Sequence, residues 1–346
     1  ELREVMIASV ADTGGHLASS LGAVELTLAL YRVFDPPEDR IVWDVGHQTY
    51  AQKLITGRRE RFHTLRQRGG ICGFPKCEES CYDAFNTGHS STSISAALGM
   101  ARARDLKRCR HKVVAVIGDG SLSNGLALEG LNDAGQSKTD LLVVLNDNRM
   151  SISKPVGGLS NYLNSIITGN FYNRVKEQAE NLIQAIPMVG KSALRLAQYA
   201  EEMAKGLIVP GVLFEELGFR YLGPVDGHDL DSLLPTLERV RQLPGPILLH
   251  VLTVKGKGFV HAERQPEVFH GTPAFDPDTG TRRSAPGLSF SKAFSASLLA
   301  QARRRPEVVA IVAAMTSGTA LDEFARELPE LPDAKRERFM SAFGLK

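Results

Sequence analysis

A doubly wound parallel α/β sheet is the fold this sequence predicts, and three observations point to it. Two short apolar runs, Val113-Val114-Ala115-Val116-Ile117 and Leu141-Leu142-Val143-Val144-Leu145, end abruptly in the polar turns Gly118-Asp119-Gly120 and Asn146-Asp147-Asn148-Arg149-Met150. Asp119 and Asn148 stand 29 positions apart (119 to 148). That is about the length of a strand–helix–strand crossover, so both turns can share one edge of a parallel sheet. Helix-like and strand-like patterns also alternate along residues 1–260, as such sheets require.

The elements follow in order. The chain opens in a helical pattern at Glu1–Met6, so further residues are expected upstream. Leu21–Phe34 has helical apolar spacing, and Arg40–Trp43 reads as a short buried strand. Thr92–Leu106 is rich in Ala, Ile and Leu, with Ser and Thr suited to capping at its start. Lys112–Ile117 is a strand, Asn124–Gln136 a helix and Leu141–Asn146 a strand. Residues 154–211 break the alternation with Gly157-Gly158 and a polar, helix-prone run, and read as a helical insertion near the site. Asp229–Arg241 is helical and Ile247–Thr253 a buried strand. Residues 1–261 therefore form one α/β domain. Residues 262–289, rich in Pro, Gly and Asp, read as a linker. A helix at Phe290–Arg303 and a strand at Val308–Val312 then begin a second α/β domain, residues 290–346, which is incomplete.

Composition narrows the function class. The chain has 346 residues, 43% hydrophobic and 23% charged, enough for a large core and more than one domain. Its 41 basic and 39 acidic residues give a net charge of +2, which calls for neither nucleic acid nor an acidic partner. No apolar run approaches the roughly 20 residues of a membrane span, and no secretory signal is visible. A cytoplasmic location is expected, or a plastid if the source is a plant or alga. Cys72, Cys77 and Cys81 have the spacing C-x4-C-x3-C, which fits neither common zinc nor common iron–sulfur patterns, so reduced thiols are expected there and at Cys109.

The two strand-end turns carry the chemistry. Gly118-Asp119-Gly120 alone is an ordinary tight turn. Paired with Asn146-Asp147-Asn148 beyond the next strand, it brings a carboxylate, an amide oxygen and backbone carbonyls to one edge, a donor set for a hard divalent cation. In open α/β sheets ligands bind beyond the carboxyl ends of the strands, where both turns fall. His16, His47 and His89 each follow a glycine, which lets the backbone pass close to a ligand, and imidazole titrates near neutrality. Gly190-Lys191-Ser192 resembles the end of a phosphate-binding loop, but Ala185 stands where the loop's first glycine is required. Lys255-Gly256-Lys257-Gly258 follows a buried strand and is expected to line the cleft.

Several stretches carry a family resemblance: Gly15-His16-Leu17-Ala18-Ser19, Trp43-Asp44-Val45-Gly46-His47-Gln48, Thr87-Gly88-His89-Ser90-Ser91-Thr92-Ser93, Asn146–Ser153, Phe214–Phe219 and Gly223-Pro224-Val225-Asp226-Gly227-His228-Asp229. Over about residues 10–325 the chain resembles the 1-deoxy-D-xylulose-5-phosphate synthases, a transketolase-like family of thiamine-diphosphate enzymes. The resemblance implies a thiamine-diphosphate-binding fold with magnesium on the diphosphate, held by Asp119, Asn148 and the Met150 carbonyl. It makes His47 a contact to diphosphate and substrate. It makes Gly88, His89 and Ser90 a cofactor-binding turn, and Gly120 and Ser121 backbone contacts to the diphosphate. His16 and His270 become active-site histidines, and Asn148 touches cofactor as well as metal. Phe259 becomes a cofactor-binding residue, standing where the family often has tyrosine, so that ring packing is kept and any hydroxyl hydrogen bond is lost.

The implied reaction condenses pyruvate with D-glyceraldehyde 3-phosphate, releases carbon dioxide and feeds isoprenoid-precursor and thiamine synthesis, in a homodimer. The family's activating glutamate, in a Glu-x-His-Ala-Val segment, has no match. Ala313-Ala314-Met315 and Leu321–Phe324 fit the approach to it, whereas Ala334–Lys346 looks like a different region. A longer enzyme is therefore expected, because a half-built second domain would expose a large apolar face. The alternatives are a transketolase moving two-carbon units between sugar phosphates, or a non-catalytic half that binds magnesium diphosphate.

Overall fold

The computed structural model describes residues 1–148, 158, 162, 211–283, 287–305, 307–312, 316 and 318–328. Met150, nearly all of the expected insertion at 154–211, Ala313–Met315 and Ala334–Lys346 lie outside them. The chain divides into two units, residues 1–283 and 284–346.

The first unit runs α1 (Leu2–Thr13), α2 (Leu17–Gly22), α3 (Val24–Val33), β1 (Arg40–Trp43), α4 (Tyr50–Lys53), α5 (Ser93–Leu106), β2 (Val113–Gly118), α6 (Asp119–Leu122), α7 (Gly125–Ser137), β3 (Leu142–Asp147), α8 (Val212–Glu216), β4 (Arg220–Asp226), α9 (Leu230–Gln242), β5 (Ile247–Leu252) and α10 (Val260–Arg264). The strands form one parallel sheet in the order β1-β2-β3-β5-β4. Because side chains alternate along a strand, the central strands must be apolar on both faces. Val113, Ala115, Ile117, Val143 and Leu145 pack with Ile94 and Leu98 of α5 and Leu131 of α7. Val114, Val116, Leu142, Val144 and Leu249 pack with Leu26 and Leu30 of α3 and Leu233 and Leu237 of α9. Helices on both faces of a parallel sheet make the doubly wound fold the sequence predicts.

Four differences from the sequence reading have physical reasons. The helix expected over Leu21–Phe34 is two helices broken at Ala23 (φ −106°, ψ 13°). The break follows a close approach: a Cβ on Gly22 would stand 2.8 Å from the Val254 carbonyl oxygen. Strand β4 was not expected, because it lies at the sheet edge, is mostly exposed or half-exposed and contains Gly223-Pro224, so it lacks apolar alternation. The strand expected at Val308–Val312 is not formed: Val308, Ala310 and Val312 face the small core of Leu299, Ala302, Leu321 and Phe324, but no described strand pairs with the segment. That core belongs to the second unit, between α11 (Phe290–Arg304, capped by the Ser289 hydroxyl) and α12 (Asp322–Glu327). Residues 262–283, read from the sequence as part of a linker, pack within the first unit. Phe269 and Phe275 are buried against Met6, Val10, Leu17, Tyr50 and Phe259.

The loop after β5 is tied down by a polar cluster. Arg3 donates to both carboxylate oxygens of Glu25, at 2.6 and 2.7 Å, and His228 Nδ1 lies 2.9 Å from Glu25 Oε2. Burial pushes the Glu25 carboxyl up, but the bonds from His228 and Arg3 outweigh it and hold it down at about 2, from 4.5. A depressed carboxyl contributes stability that is full above its unfolded value and is lost as pH falls through the folded one. The stability gap between the wild type and Glu25→Gln, at most about 3 kcal/mol, is thus expected to be complete above pH 4.5 and to close toward pH 2. Denaturant melts across that range measure it.

Candidate active site

Four strand ends and one returning loop converge beyond the carboxyl edge of the sheet. The chain enters through Gly14 (φ +70°), where a Cβ would stand 2.8 Å from the Thr272 carbonyl oxygen. Gly15 and Thr272 exchange two backbone hydrogen bonds, of 2.8 and 2.9 Å, and Ala18 N–H donates to the Phe269 carbonyl. These bonds carry His270 to the start of α2, beside His16. The His16 backbone N–H is fixed by the Tyr50 hydroxyl at 3.0 Å. After β1, Val45 (φ 58°) and Gly46 (φ 86°) turn left-handed and present His47. A β-branched residue in that region is strained, and such strain concentrates at functional sites. A Cβ on Gly46 would collide at 2.3 Å with both Pro75 Cδ and Thr87 Oγ1.

The three imidazoles therefore meet. Ring centroids lie 5.6 Å apart for His16–His47 and His16–His270 and 5.0 Å for His47–His270, with Phe74 5.4 Å from His16. Ser19 Oγ reaches His270 Nδ1 at 3.3 Å, and Ser20 Oγ donates to the His47 carbonyl at 2.9 Å. Burial, reinforced by nearby positive charge, lowers His16 to about 4 and His270 to about 3, and puts His47 well below its ordinary value. All three are neutral at pH 7. The Nδ1 atoms of His16 and His47 are buried with no hydrogen-bond partner, the signature of groups that await a ligand.

Asp44 couples His47 to the cofactor turn expected at Gly88-His89-Ser90. Its buried carboxylate accepts from Ser91 N–H at 2.8 Å and Ser93 N–H at 3.1 Å. Ser91, itself at φ 73°, donates its hydroxyl to the Ser121 carbonyl at 2.7 Å, and Asn124 Nδ2 donates to Ser91 Oγ at 2.6 Å. Ser91, directly after the Gly88–Ser90 turn, is thus tied to Ser121 in α6. His89 is exposed, with Nδ1 2.8 Å from the Ser90 carbonyl.

Asp119 begins α6 directly after β2, and Asn148 follows β3. The pairing Gly118↔Asn146 makes these ends neighbours. Burial and the neighbouring Asp147 carboxylate push the Asp119 carboxyl up to about 6, opposed by backbone hydrogen bonds and the Lys255 ammonium. A buried carboxyl raised by a second carboxylate is a donor suited to a divalent cation. The second carboxylate is fixed from behind: His250 Nε2 lies 3.0 Å from Asp147 Oδ2, and the Tyr221 hydroxyl lies 2.7 Å from His250 Nδ1. Thr253 Oγ1 donates to Asn146 Oδ1 at 2.7 Å. Met150, the third expected metal ligand, lies outside the described residues.

The sequence reading underrated Lys255. Only 5% exposed, it is lowered to about 8 by burial, against the pull of Asp119 and Glu267, and its charge acts on all three histidines. Its charge is felt both by the imidazoles and by the Asp119 carboxyl. Its position just past a fully buried strand was the available signal. Phe259 is not with the histidine trio: its ring packs on His261, Phe269 and Phe275. The four cysteines are free thiols, and among the described residues no three His, Cys, Asp or Glu side chains converge on a metal position. At the acidic strand ends the described residues offer oxygen donors, the Asp119 carboxylate and the Asn148 amide, of the kind a hard divalent cation takes.

Residues 1–253 match the family model described as 1-deoxy-D-xylulose-5-phosphate synthase. The chain is 56% identical over 334 residues to the 1-deoxy-D-xylulose-5-phosphate synthase of Syntrophus aciditrophicus, covering 95% of this chain and 51% of that protein. It is 57% identical over 330 residues to that of Syntrophomonas wolfei, covering 95% and 52%. The chain thus spans about half the length of these relatives. Among solved structures it resembles the transketolases of Campylobacter jejuni (TM-score 0.55, 22% identity, 80% of this chain and 42% of that one) and Leishmania mexicana (TM-score 0.56, 17% identity, 99% and 46%). At those identities the likeness is one of fold.

Proposed function

The chain belongs to the 1-deoxy-D-xylulose-5-phosphate synthase family, and from that premise we propose that it holds the diphosphate-binding part of an enzyme condensing pyruvate with D-glyceraldehyde 3-phosphate. The product is 1-deoxy-D-xylulose 5-phosphate, with release of carbon dioxide. The observation that carries the reading is the meeting of His16, His47 and His270 with Lys255 beside the Asp119 strand end.

Bound thiamine diphosphate supplies the electron sink that decarboxylation of a 2-oxo acid needs. Asp119, Asn148 and the Met150 carbonyl would hold magnesium, and Gly88, His89, Ser90, Gly120 and Ser121 would line the diphosphate. The neutral imidazoles of His16, His47 and His270 would hydrogen-bond to the substrate oxygens or accept a proton from them, and a ring that has taken up a proton can return it later in the cycle. The Lys255 ammonium offsets negative charge brought in by a carboxylate or diphosphate. Phe259 supports the cleft wall through Phe269 and Phe275 rather than through a hydroxyl. Residues 1–283 form the diphosphate domain, with 154–211 as an insertion, and residues 290–346 begin a pyrimidine-binding domain. The enzyme works as a homodimer in the cytoplasm; no described helix is long and apolar enough to cross a membrane.

The test is turnover of the full-length protein with magnesium and thiamine diphosphate. Carbon dioxide release that requires both pyruvate and the aldehyde is expected. Two-carbon transfer from a ketose phosphate, without carbon dioxide, would overturn the synthase reading in favour of a transketolase.

A further inference from the structure

Lys255 belongs to the site, and the residues on either side of it are held by bonds to groups outside the histidine trio. Val254 N–H donates to His228 Nε2 at 2.8 Å. An amide can only donate, so Nε2 is the unprotonated ring nitrogen and Nδ1 carries the hydrogen that reaches Glu25 Oε2 at 2.9 Å. Glu25 is gripped on both oxygens by Arg3, whose Nε donates to the Lys257 carbonyl at 2.7 Å and whose Nη2 donates to the Leu21 carbonyl at 3.1 Å. The His228 backbone is fixed in turn by Asp226 Oδ1 at 2.8 Å. Between these anchors, Gly256 N–H donates to the Ala18 carbonyl at 2.8 Å. The segment fits without slack: a Cβ on Gly258 would stand 2.6 Å from Arg3 Cδ.

We propose that Glu25, His228 and Arg3 form a positioning clamp that fixes Val254–Lys257 from outside and thereby sets where the Lys255 ammonium stands among the three histidines. None of the three contacts the imidazoles, so they act through Lys255. The clamp's importance for turnover rests on the synthase reading above; its structural action does not. The imidazole is suited to the task because it accepts from one amide and donates to one carboxylate at once. Glutamine, with an accepting oxygen and a donating nitrogen at similar separation, can do both.

The experiment uses the full-length protein without ligand. Amide hydrogen exchange is read at Val254 and Gly256, and acetylation of Lys255 by acetic anhydride is read by peptide mass, in wild type, His228→Ala, His228→Gln and the surface control His63→Ala. His228→Ala is expected to speed exchange at Val254 at least tenfold and labelling of Lys255 several-fold. His228→Gln should restore most of both, and His63→Ala should change neither. If His228→Ala does not fold, Glu25→Gln, which keeps the size but loses the charge that Arg3 grips, should give the same changes at smaller amplitude. Unchanged exchange at Val254, or faster exchange with unchanged Lys255 labelling, would overturn the clamp. Steady-state kinetics then separate the two readings: the clamp expects a fall in kcat for His228→Ala that His228→Gln recovers. A wild type without pyruvate turnover overturns the synthase reading and leaves the clamp judged by exchange and labelling.

Discussion

Asp119→Ala is expected to weaken magnesium-dependent binding of thiamine diphosphate by at least about 10-fold, since losing a metal ligand costs no less than losing a residue that merely orients one. Asp119 is the only carboxylate in the expected ligand set of Asp119, Asn148 and the Met150 carbonyl, and the two neutral donors cannot hold a divalent cation against water. The variant should fold. Asp119 stands against Asp147 with burial raising its carboxyl to about 6, so removing it relieves a repulsion. Calorimetric titration of the cofactor with and without magnesium, beside a thermal melt of the metal-free protein, checks both halves. Retained magnesium-dependent binding with an unchanged melting temperature would remove Asp119 from the site. Asp119→Asn keeps the shape and one oxygen and should recover only a small part of the affinity, which separates charge from geometry.

Much of the site was legible because strand ends announce themselves. An apolar run that stops at Gly-Asp-Gly or Asn-Asp-Asn tells where a buried strand meets solvent, and the parallel sheet brings both ends to one edge. Of the glycines before His16, His47 and His89, Gly14, Gly15 and Gly46 have no room for a Cβ, whereas Gly88 has open space around it, so the glycine argument holds for two of the three histidines. Other contributions could not be read locally. Lys255 matters through where β5 ends relative to β2 and β3, a tertiary fact. The Asp44 carboxylate matters through amides 47 and 49 positions away. His270 lies in a Pro- and Gly-rich stretch that resembles a linker, and the backbone bonds of Gly15 with Thr272 and of Ala18 with Phe269 bring it into the site. The β4 edge strand carries too little apolar pattern to be seen without its partner.

The same loop logic leads to the largest expected loss of stability. Residues 72–83 bring Phe74 onto His16 and Pro75 onto Gly46, yet they contain no helix or strand of their own. What holds them is a buried ionic cluster. Asp83 accepts from Arg58 Nη1 at 2.7 Å and Nη2 at 3.0 Å, from Gln52 Nε2 at 2.7 Å and from Lys76 N–H at 2.8 Å. Glu79 accepts from Lys53 at 2.5 Å, from Arg58 at 3.1 Å and from Cys72 N–H at 2.7 Å. Two cations and two anions cancel, so the cluster is tolerable in the interior only while complete. Asp83→Ala strands Lys53, whose side chain is 0% exposed, and Arg58 with half their counter-charge. Breaking a buried pair in this way costs about 3–5 kcal/mol, a fall in Tm of roughly 10 °C for a unit of this size. Burial pushes the Asp83 carboxyl up, but the bonds from Arg58 and Gln52 reverse that and hold it below its ordinary 3.8, so the wild-type advantage is complete above that pH and is lost only in stronger acid. Adding Arg58→Met to Asp83→Ala removes the orphaned cation and should recover part of the loss, a coupling that a double-mutant cycle measures. A change within about 0.5 kcal/mol for Asp83→Ala, the range of ordinary surface substitutions, would mean that the loop is held by something else. A large change should also loosen Phe74 against His16, so that affinity for thiamine diphosphate falls with stability although Asp83 touches none of the three imidazoles.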